Sequence, residues 1–460
     1  MAIAAGSKAP CIGLPTDSDR IVTHQCFTEV GTFYGGRGLA QRFTPFYGQN
    51  ESALPIEYPV VATLVMESAA QATHVISGLD DAEYERRDHL SPEVLVEDPQ
   101  IERESAIFLS LVYLITGLIG GLGLILTLRL VPARTAVTRL LLVGPVIIFS
   151  GFVNIDLLVL GSIGVALWAW ARHRPILLGI AIGLGAAAKL VPALLLIGVV
   201  GYALARPLDR RRRREALITT ALAAVSFVTI NAPAALLNFD RWAVFWTFSS
   251  ERVAYFGSSW MALRMVRGAE LPVTTMNAIA GAAWVTAAVL GLFLASRVER
   301  SQALVVGALP AIVAFIDLNK VVSPQFSVWL VPFLIASAIP LALVVTYTLA
   351  HAFHYVETWL YIKGITTPVQ GIDKAYFFAI TARVIADAML AVWALWYAMT
   401  APTRRRSQRA DPKTVRRDLT SDSRPGQHWH SESADHARTP LAGRDGRPGG
   451  WGNTPPNAST

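Results

Sequence analysis

The chain has 460 residues, 53% hydrophobic and 16% charged, and its charges crowd into short loops, leaving long apolar runs nearly bare. That distribution excludes a soluble α/β enzyme, whose charges are spread more evenly, and fits a helical protein that crosses a bilayer many times. The net charge of +7 comes from short loops and a C-terminal tail, so it reports membrane orientation and not a nucleic-acid surface.

In chain order, residues 1–105 come first. They hold the only two cysteines, Cys11 and Cys26. In an oxidising compartment an even pair fits one disulfide closing a small loop, two free thiols being the alternative; without histidines at ligand spacing they do not suggest a metal site. The same segment is rich in acids and aromatics, among them Glu29, Phe33, Tyr34, Arg37, Phe46 and Glu57-Tyr58-Pro59. An apolar stretch, Pro59–Ser77, carries Glu67, Gln71 and His74. The segment from Gly78 to Ala106 has ten acidic residues against three arginines, which places it outside the cell. With both flanks external, 59–77 is expected to be an amphipathic helix lying in the interface, the alternative being an ordinary span.

Apolar runs then predict about eleven membrane helices, near 106–128, 137–153, 155–171, 176–188, 190–205, 216–236, 273–295, 302–318, 325–338, 339–355 and 376–400. Several are too short to cross a core roughly 30 Å thick without thinning or polar ends, and they come as hairpins. Basic clusters at Arg129/Arg134/Arg139, Arg172/Arg174, Arg206 with Arg210–Arg214, Arg297/Arg300 and Arg404–Arg406 all face the cytoplasm under the positive-inside rule, and the hairpins supply the even crossings this requires. No secretory signal precedes the external segment, so a first span of about 20 residues is expected upstream of it.

The hairpin tips carry ionisable groups. Lys189 interrupts the uncharged run Ile176–Ala205, Asn154 and Asp156 interrupt a second, and Asp317, Asn319 and Lys320 a third. A lone charge at membrane depth costs about 2.5–3.5 kcal/mol and marks a function by default. The topology gathers all six on the outer face. A second external stretch, 237–272, adds Trp242, Phe245, Trp246, Phe248, Arg252, Tyr255 and Trp260; most serve as interfacial anchors, but aromatics beside charges also make a sugar platform with a phosphate clamp. Arg383 and Asp387 are spaced as a self-satisfied ion pair, and His351 and His354 fit a polar cavity more simply than a metal. From Ala401 the composition is that of a disordered cytoplasmic tail, with a generic affinity of its arginines for anionic lipid. The domain reading is therefore 1–105 external, 106–400 transmembrane and 401–460 tail.

The series KAPC…CFTEV…YGGRGLA…PFY…IEYPV, followed in order by FVNIDLLVL, GLGAAAKLVPALLL, ERVAYFGSSW and NKVVSPQFSVWLVP, resembles glycosyltransferase family 87 from about Lys8 to Tyr397. These are actinobacterial integral membrane proteins of the GT-C superfamily that use polyprenyl-phosphate sugars, mannosyltransferases among them. No one of these motifs is specific alone; the order is. The resemblance implies an all-α, polytopic bundle of GT-C type in the plasma membrane, working in cell-envelope biosynthesis. It also implies a first span before the external loop and an active site on the extracytoplasmic face. Where the family usually has Asp in the cysteine-containing motif this chain has Glu29, which inherits the role of catalytic base by position.

The implied reaction moves a hexose, mannose by resemblance, from a polyprenyl-phosphate donor to a lipid or polysaccharide acceptor by one inverting displacement. The candidate phosphate clamp is Lys189, Arg252 and Lys320, with Asp156, Asn154, Glu57 and Asn319 as further substrate-binding residues. No cofactor and no metal is expected; the one Asp-x-Asp match in the external segments, Asp17-Ser18-Asp19, is of the kind that arises by chance. A transporter or flippase without transferase chemistry is the competing reading. It predicts polar groups through the midplane and matching inverted halves, neither of which the sequence has beyond Arg383/Asp387.

Overall fold

The structure is a computed structural model that describes residues 1–12, 19–42, 45–46, 56–366 and 373–409, with side chains to 400. Asp17 and Ser18 and the tail from 410 onward therefore lie outside the described residues.

Every regular element among the described residues is helical. Six α-helices and a 3-10 turn, Ala9–Cys11, precede the bundle; the helices are α1 Ala2–Gly6, α2 Arg20–His24, α3 Gly31–Gly36, α4 Val60–Ser77, α5 Asp81–Asp88 and α6 Pro92–Val96. The bundle follows as α7 Pro99–Leu128, α8 Ala133–Ser150, α9 Leu157–Ala171, α10 Pro175–Ala188, α11 Leu195–Leu204 and α12 Arg210–Leu237. Two shorter helices, α13 Phe239–Glu251 and α14 Ser259–Arg267, lead to α15 Val273–Arg297, α16 Arg300–Asp317, α17 Val331–Ala336, α18 Leu341–Ile362 and α19 Lys374–Arg409. Short 3-10 turns, Val191–Leu194 and Pro324–Leu330, open onto α11 and α17.

Six of these helices are long and apolar enough to cross a membrane and four more are apolar but shorter, at 157–171, 175–188, 191–204 and 324–336. Together they make a polytopic membrane bundle. At about 1.5 Å per residue, α9 and α10 are only ~21–22 Å long, well under the bilayer core. Both are bounded by polar residues, Asp156 at the start of α9 and Lys189 at the end of α10. The stretch 237–272 is mostly helical, its two helices started by side-chain caps from Asn238 and Ser258. One feature departs from the sequence reading: the helix expected to end near 400 continues to Arg409.

Small residues set the closest helix crossings. A Cβ on Gly123 would stand 2.5 Å from the Gly161 backbone, joining α7 to α9. Gly179 and Gly183, one turn apart on α10, lie against the backbone of Thr219 and Ala223 on α12. Such Gly-x-x-x-Gly faces let helix backbones meet where lipid supplies no hydrophobic drive.

Arg139, read as one of a cytoplasmic basic cluster, is buried and donates to the carbonyls of Leu334 and Ile339, the latter at 2.7 Å. It satisfies acceptors left open where α17 ends. Before the bundle, fully buried Arg87 grips Glu104 of α7 with two bonds of 2.7 and 2.8 Å, and Tyr34 donates to the same carboxylate at 2.7 Å. This bidentate pair ties α3 and α5 to the bundle. α4 buries Ala62, Met66, Ala69 and Thr73 on one face, against α7 and α10.

Candidate active site

Glu29 lies on the loop between α2 and α3, held from several sides. Cys11 and Cys26 are disulfide-bonded just before it. Lys8 is fully buried and donates to Phe149 O and Tyr355 Oη, each at 2.7 Å, while Tyr355 donates to Gln25 O. The Glu29 amide itself donates to Val153 O at 2.8 Å. The loop is thus pinned to the tip of the α8–α9 hairpin, residues 151–156.

That tip brings Asn154 to the carboxylate. Its Nδ2 donates to Glu29 Oε2 at 2.6 Å and to Tyr58 Oη at 2.5 Å, and Tyr58 lies 3.4 Å from the same carboxylate oxygen. The Ile155 amide donates to Asn154 Oδ1, which fixes which end of the amide faces Glu29. Two residues on, buried Asp156 accepts from Lys189 Nζ and from Trp329 Nε1, both at 2.7 Å. Lys189 ends α10 in extended backbone, and its ammonium stands over the rings of Phe326, Trp329 and Tyr58. An ammonium has three donors, so after Asp156 two remain for a ligand.

Burial pushes the Glu29 carboxyl above its ordinary value; the Lys189 charge and the Asn154 hydrogen bond act the other way without cancelling it. The Tyr58 hydroxyl is raised strongly by burial and then by Glu29. Arg252 lies close enough to feel Glu29, Tyr58 and Glu57, although burial, the larger effect, lowers it. Burial and the Arg252 charge lower Lys320, whose Nζ donates to Ser250 O and Asn277 Oδ1 at 2.7 Å. Beside the cluster, Phe46, Tyr58, Leu190, Phe227, Trp242 and Trp246 close on a cleft of about 10 Å³, room for a single water.

The six tip residues do not all converge. Asn154 bonds to Glu29, and the Asp156–Lys189 pair lies close enough for both charges to act on it. Lys320 stands with Arg252. The Asn319 side chain accepts from its own turn, Val321 N, at 3.4 Å. Asp317 turns away: it accepts from Arg383 at 2.7 Å, and Arg383 also reaches Asp387 and Gly257 O. Asp387 in turn pairs with His351 at 3.0 Å. The expected self-contained Arg383–Asp387 pair is therefore a network across three helices, and it takes Asp317 out of the site. Among the described residues neither nitrogen of His354 has a hydrogen-bond partner, and its ring lies parallel to Tyr376.

Glu57 forms an ion pair with Arg37 at 2.6 Å, and no side chain caps α4. The sequence reading missed Tyr58 and Trp329 as members of the cluster. Both stood in motifs beside charged residues, but nothing in the sequence says which aromatic of an aromatic-rich loop points inward.

A membrane bundle with a buried carboxylate, an amide and a lysine–aspartate pair at its hairpin tips is the class defined by fold and site. Residues 101–324 match the model of Glycosyltransferase family 87, and the chain carries a domain of that membrane glycosyltransferase family. The match spans α7 to the start of the Pro324–Leu330 turn, taking in Asn154, Asp156, Lys189, Arg252 and Lys320 but not Glu29 or Tyr58. No curated protein matches the chain.

Proposed function

We propose that this protein is an inverting transferase of GT-C type. It moves a hexose, mannose by family resemblance, from a polyprenyl-phosphate sugar to a lipid or polysaccharide hydroxyl on the outer face of the plasma membrane, with Glu29 as base. The observation that carries the reading is that the hydrogen-bonded Glu29, Asn154 and Tyr58 lie beside the Lys189–Asp156 pair, whose ammonium stands 5.8 Å from the centre of the Tyr58 ring. The acceptor O–H proton passes to the Glu29 carboxylate as the acceptor oxygen attacks C1. The C1–O bond to the phosphate breaks, and polyprenyl phosphate leaves with the electron pair. Asn154 and Tyr58 orient the carboxylate. A carboxyl whose proton affinity is raised by burial is a stronger base than an exposed one. Lys189 with two open donors and Arg252 with its guanidinium are the cations for the leaving phosphate, worth more in a dry site than in water.

The transporter reading needs ionisable groups free to carry a substrate through the bundle. The buried groups Asp317, Arg383, Asp387 and His351 bond to one another, which fits a structural lock.

The experiment is incubation of membranes containing the protein with radiolabelled polyprenyl-phosphate mannose and glucose, with the lipid and polysaccharide fractions analysed. Labelled product that disappears with Glu29→Gln supports transfer. Movement of intact labelled donor across the membrane without product assigns the protein to the transporter class. Cysteine labelling near Gly268 from outside and near Arg212 only from inside would support the outer-face location, and the reverse pattern would overturn it.

A further inference from the structure

At the end of α10 opposite Lys189, a second and larger concavity opens between α10 and α12. The two helices run parallel, touching where Gly179 and Gly183 meet Thr219 and Ala223. On the N-terminal side of that contact they leave a groove of about 630 Å³. Its wall is apolar, formed by Ile176, Leu177, Ile180 and Ile218. Its rim is cationic: Arg174, Arg211 and Arg214 line it, and among the described residues none of the three has a carboxylate partner. The only acid in the lining, Glu215, is already neutralised by Arg300, which donates to both its oxygens at 2.7 and 2.5 Å. The α12 N-terminal amides are spoken for too, since Asp209 accepts from Arg211 N and Arg212 N. What remains without a carboxylate partner is three guanidinium groups above a hydrophobic trough, Arg174 also lying 5.1 Å over the Trp168 ring.

The level of the groove is set by α12 itself. Five consecutive arginines, residues 210–214, give way within two residues to an apolar helix that reaches Leu237. Such a switch marks the boundary between headgroups and acyl chains, and basic pockets between membrane helices suit anionic headgroups.

We infer that this groove binds one anionic phospholipid, its acyl chain against Ile176, Leu177, Ile180 and Ile218 and its phosphate held by Arg174, Arg211 and Arg214. Guanidinium forks match a phosphodiester bidentately. A free phosphate would use the rim but leave the trough unused, which is why the ligand is a lipid. Nothing in this site touches the Glu29 cluster, so it stands whether or not the chain is a transferase.

The test uses the full chain, delipidated in neutral detergent, with bound lipid counted by native mass spectrometry. Dioleoyl phosphatidylglycerol should bind in preference to dioleoyl phosphatidylcholine by about fivefold for each arginine engaged. Arg174→Gln/Arg211→Gln/Arg214→Gln should abolish the preference. Ile218→Trp, which fills the trough and keeps the charge, should weaken binding of both lipids. The single variant Arg211→Gln, on an exposed residue, covers the chance that the triple variant misfolds, and should reduce the preference about fivefold. Equal binding of the two lipids, a preference untouched by these variants, or millimolar inorganic phosphate competing as well as the lipid would each overturn the inference.

Discussion

Replacing Glu29 by Asp and by Gln separates the position of the carboxylate from its charge. The Glu29 amide is fixed to Val153 O at 2.8 Å, so the backbone cannot follow a shorter side chain inward. Removing one methylene withdraws the carboxylate by about 1.5 Å. The 2.6 Å contact with Asn154 then opens to roughly 4 Å, no longer a hydrogen bond. A misplacement of that size costs about 10²-fold in rate. Glu29→Gln keeps the shape but removes the base, for an expected loss of about 10²–10⁴-fold. The assay is initial-rate transfer from labelled polyprenyl-phosphate sugar in detergent, with kcat and KM separated. The pH profile is a second readout. Because burial raises the carboxyl above 4.5, the active, ionised form appears only above that value, and the acid limb of kcat/KM should lie there and vanish in Glu29→Gln. Linkage fixes the sign of the stability effect. A carboxyl whose pKa is raised on folding contributes stability that is full below the unfolded value of 4.5 and is lost as pH climbs through the folded value. Glu29→Gln should therefore be at least as heat-stable as the parent at neutral pH. Turnover within threefold of the parent for Glu29→Gln would refute the assignment, and full activity in Glu29→Asp would show that the Asn154 contact is not the working geometry.

Lys189→Met should raise KM for the donor about tenfold or more, since it removes a charge from a phosphate in a low-dielectric setting, and should also push the acid limb of the pH profile upward by deleting a charge that lowers the Glu29 carboxyl. An unchanged KM and an unmoved limb would remove Lys189 from the site. Glu104→Ala leaves the guanidinium of fully buried Arg87 with only Glu83 as a carboxylate partner and should cost about 3–5 kcal/mol, read as a lowered thermal midpoint with no separate effect on KM; an unshifted midpoint would refute the buried-pair argument.

Much of this protein was legible one residue at a time. Apolar runs of bilayer length and arginines at their ends mark helices through local composition alone, and the spans read near 137–153, 155–171 and 273–295 match α8, α9 and α15 to within four residues at each end. The cost of a charge in an apolar run singled out Lys189 and Asp156 without any knowledge of partners. Partners are what the sequence withholds. Asp317 and Asp156 look alike in the chain, each a carboxylate where one apolar helix hands over to the next. Only the packing decides that Asp317 meets Arg383, 66 residues away, while Asp156 meets Lys189 and Trp329. Glu57 and Glu29 are two glutamates of the segment before the bundle, and the fold gives Glu57 an arginine and Glu29 an amide and a phenol. Hydrophobicity is additive along the chain and so can be read from it. A hydrogen bond or an ion pair depends on where a second residue is brought in space, and that is settled by which helix faces are small enough to touch.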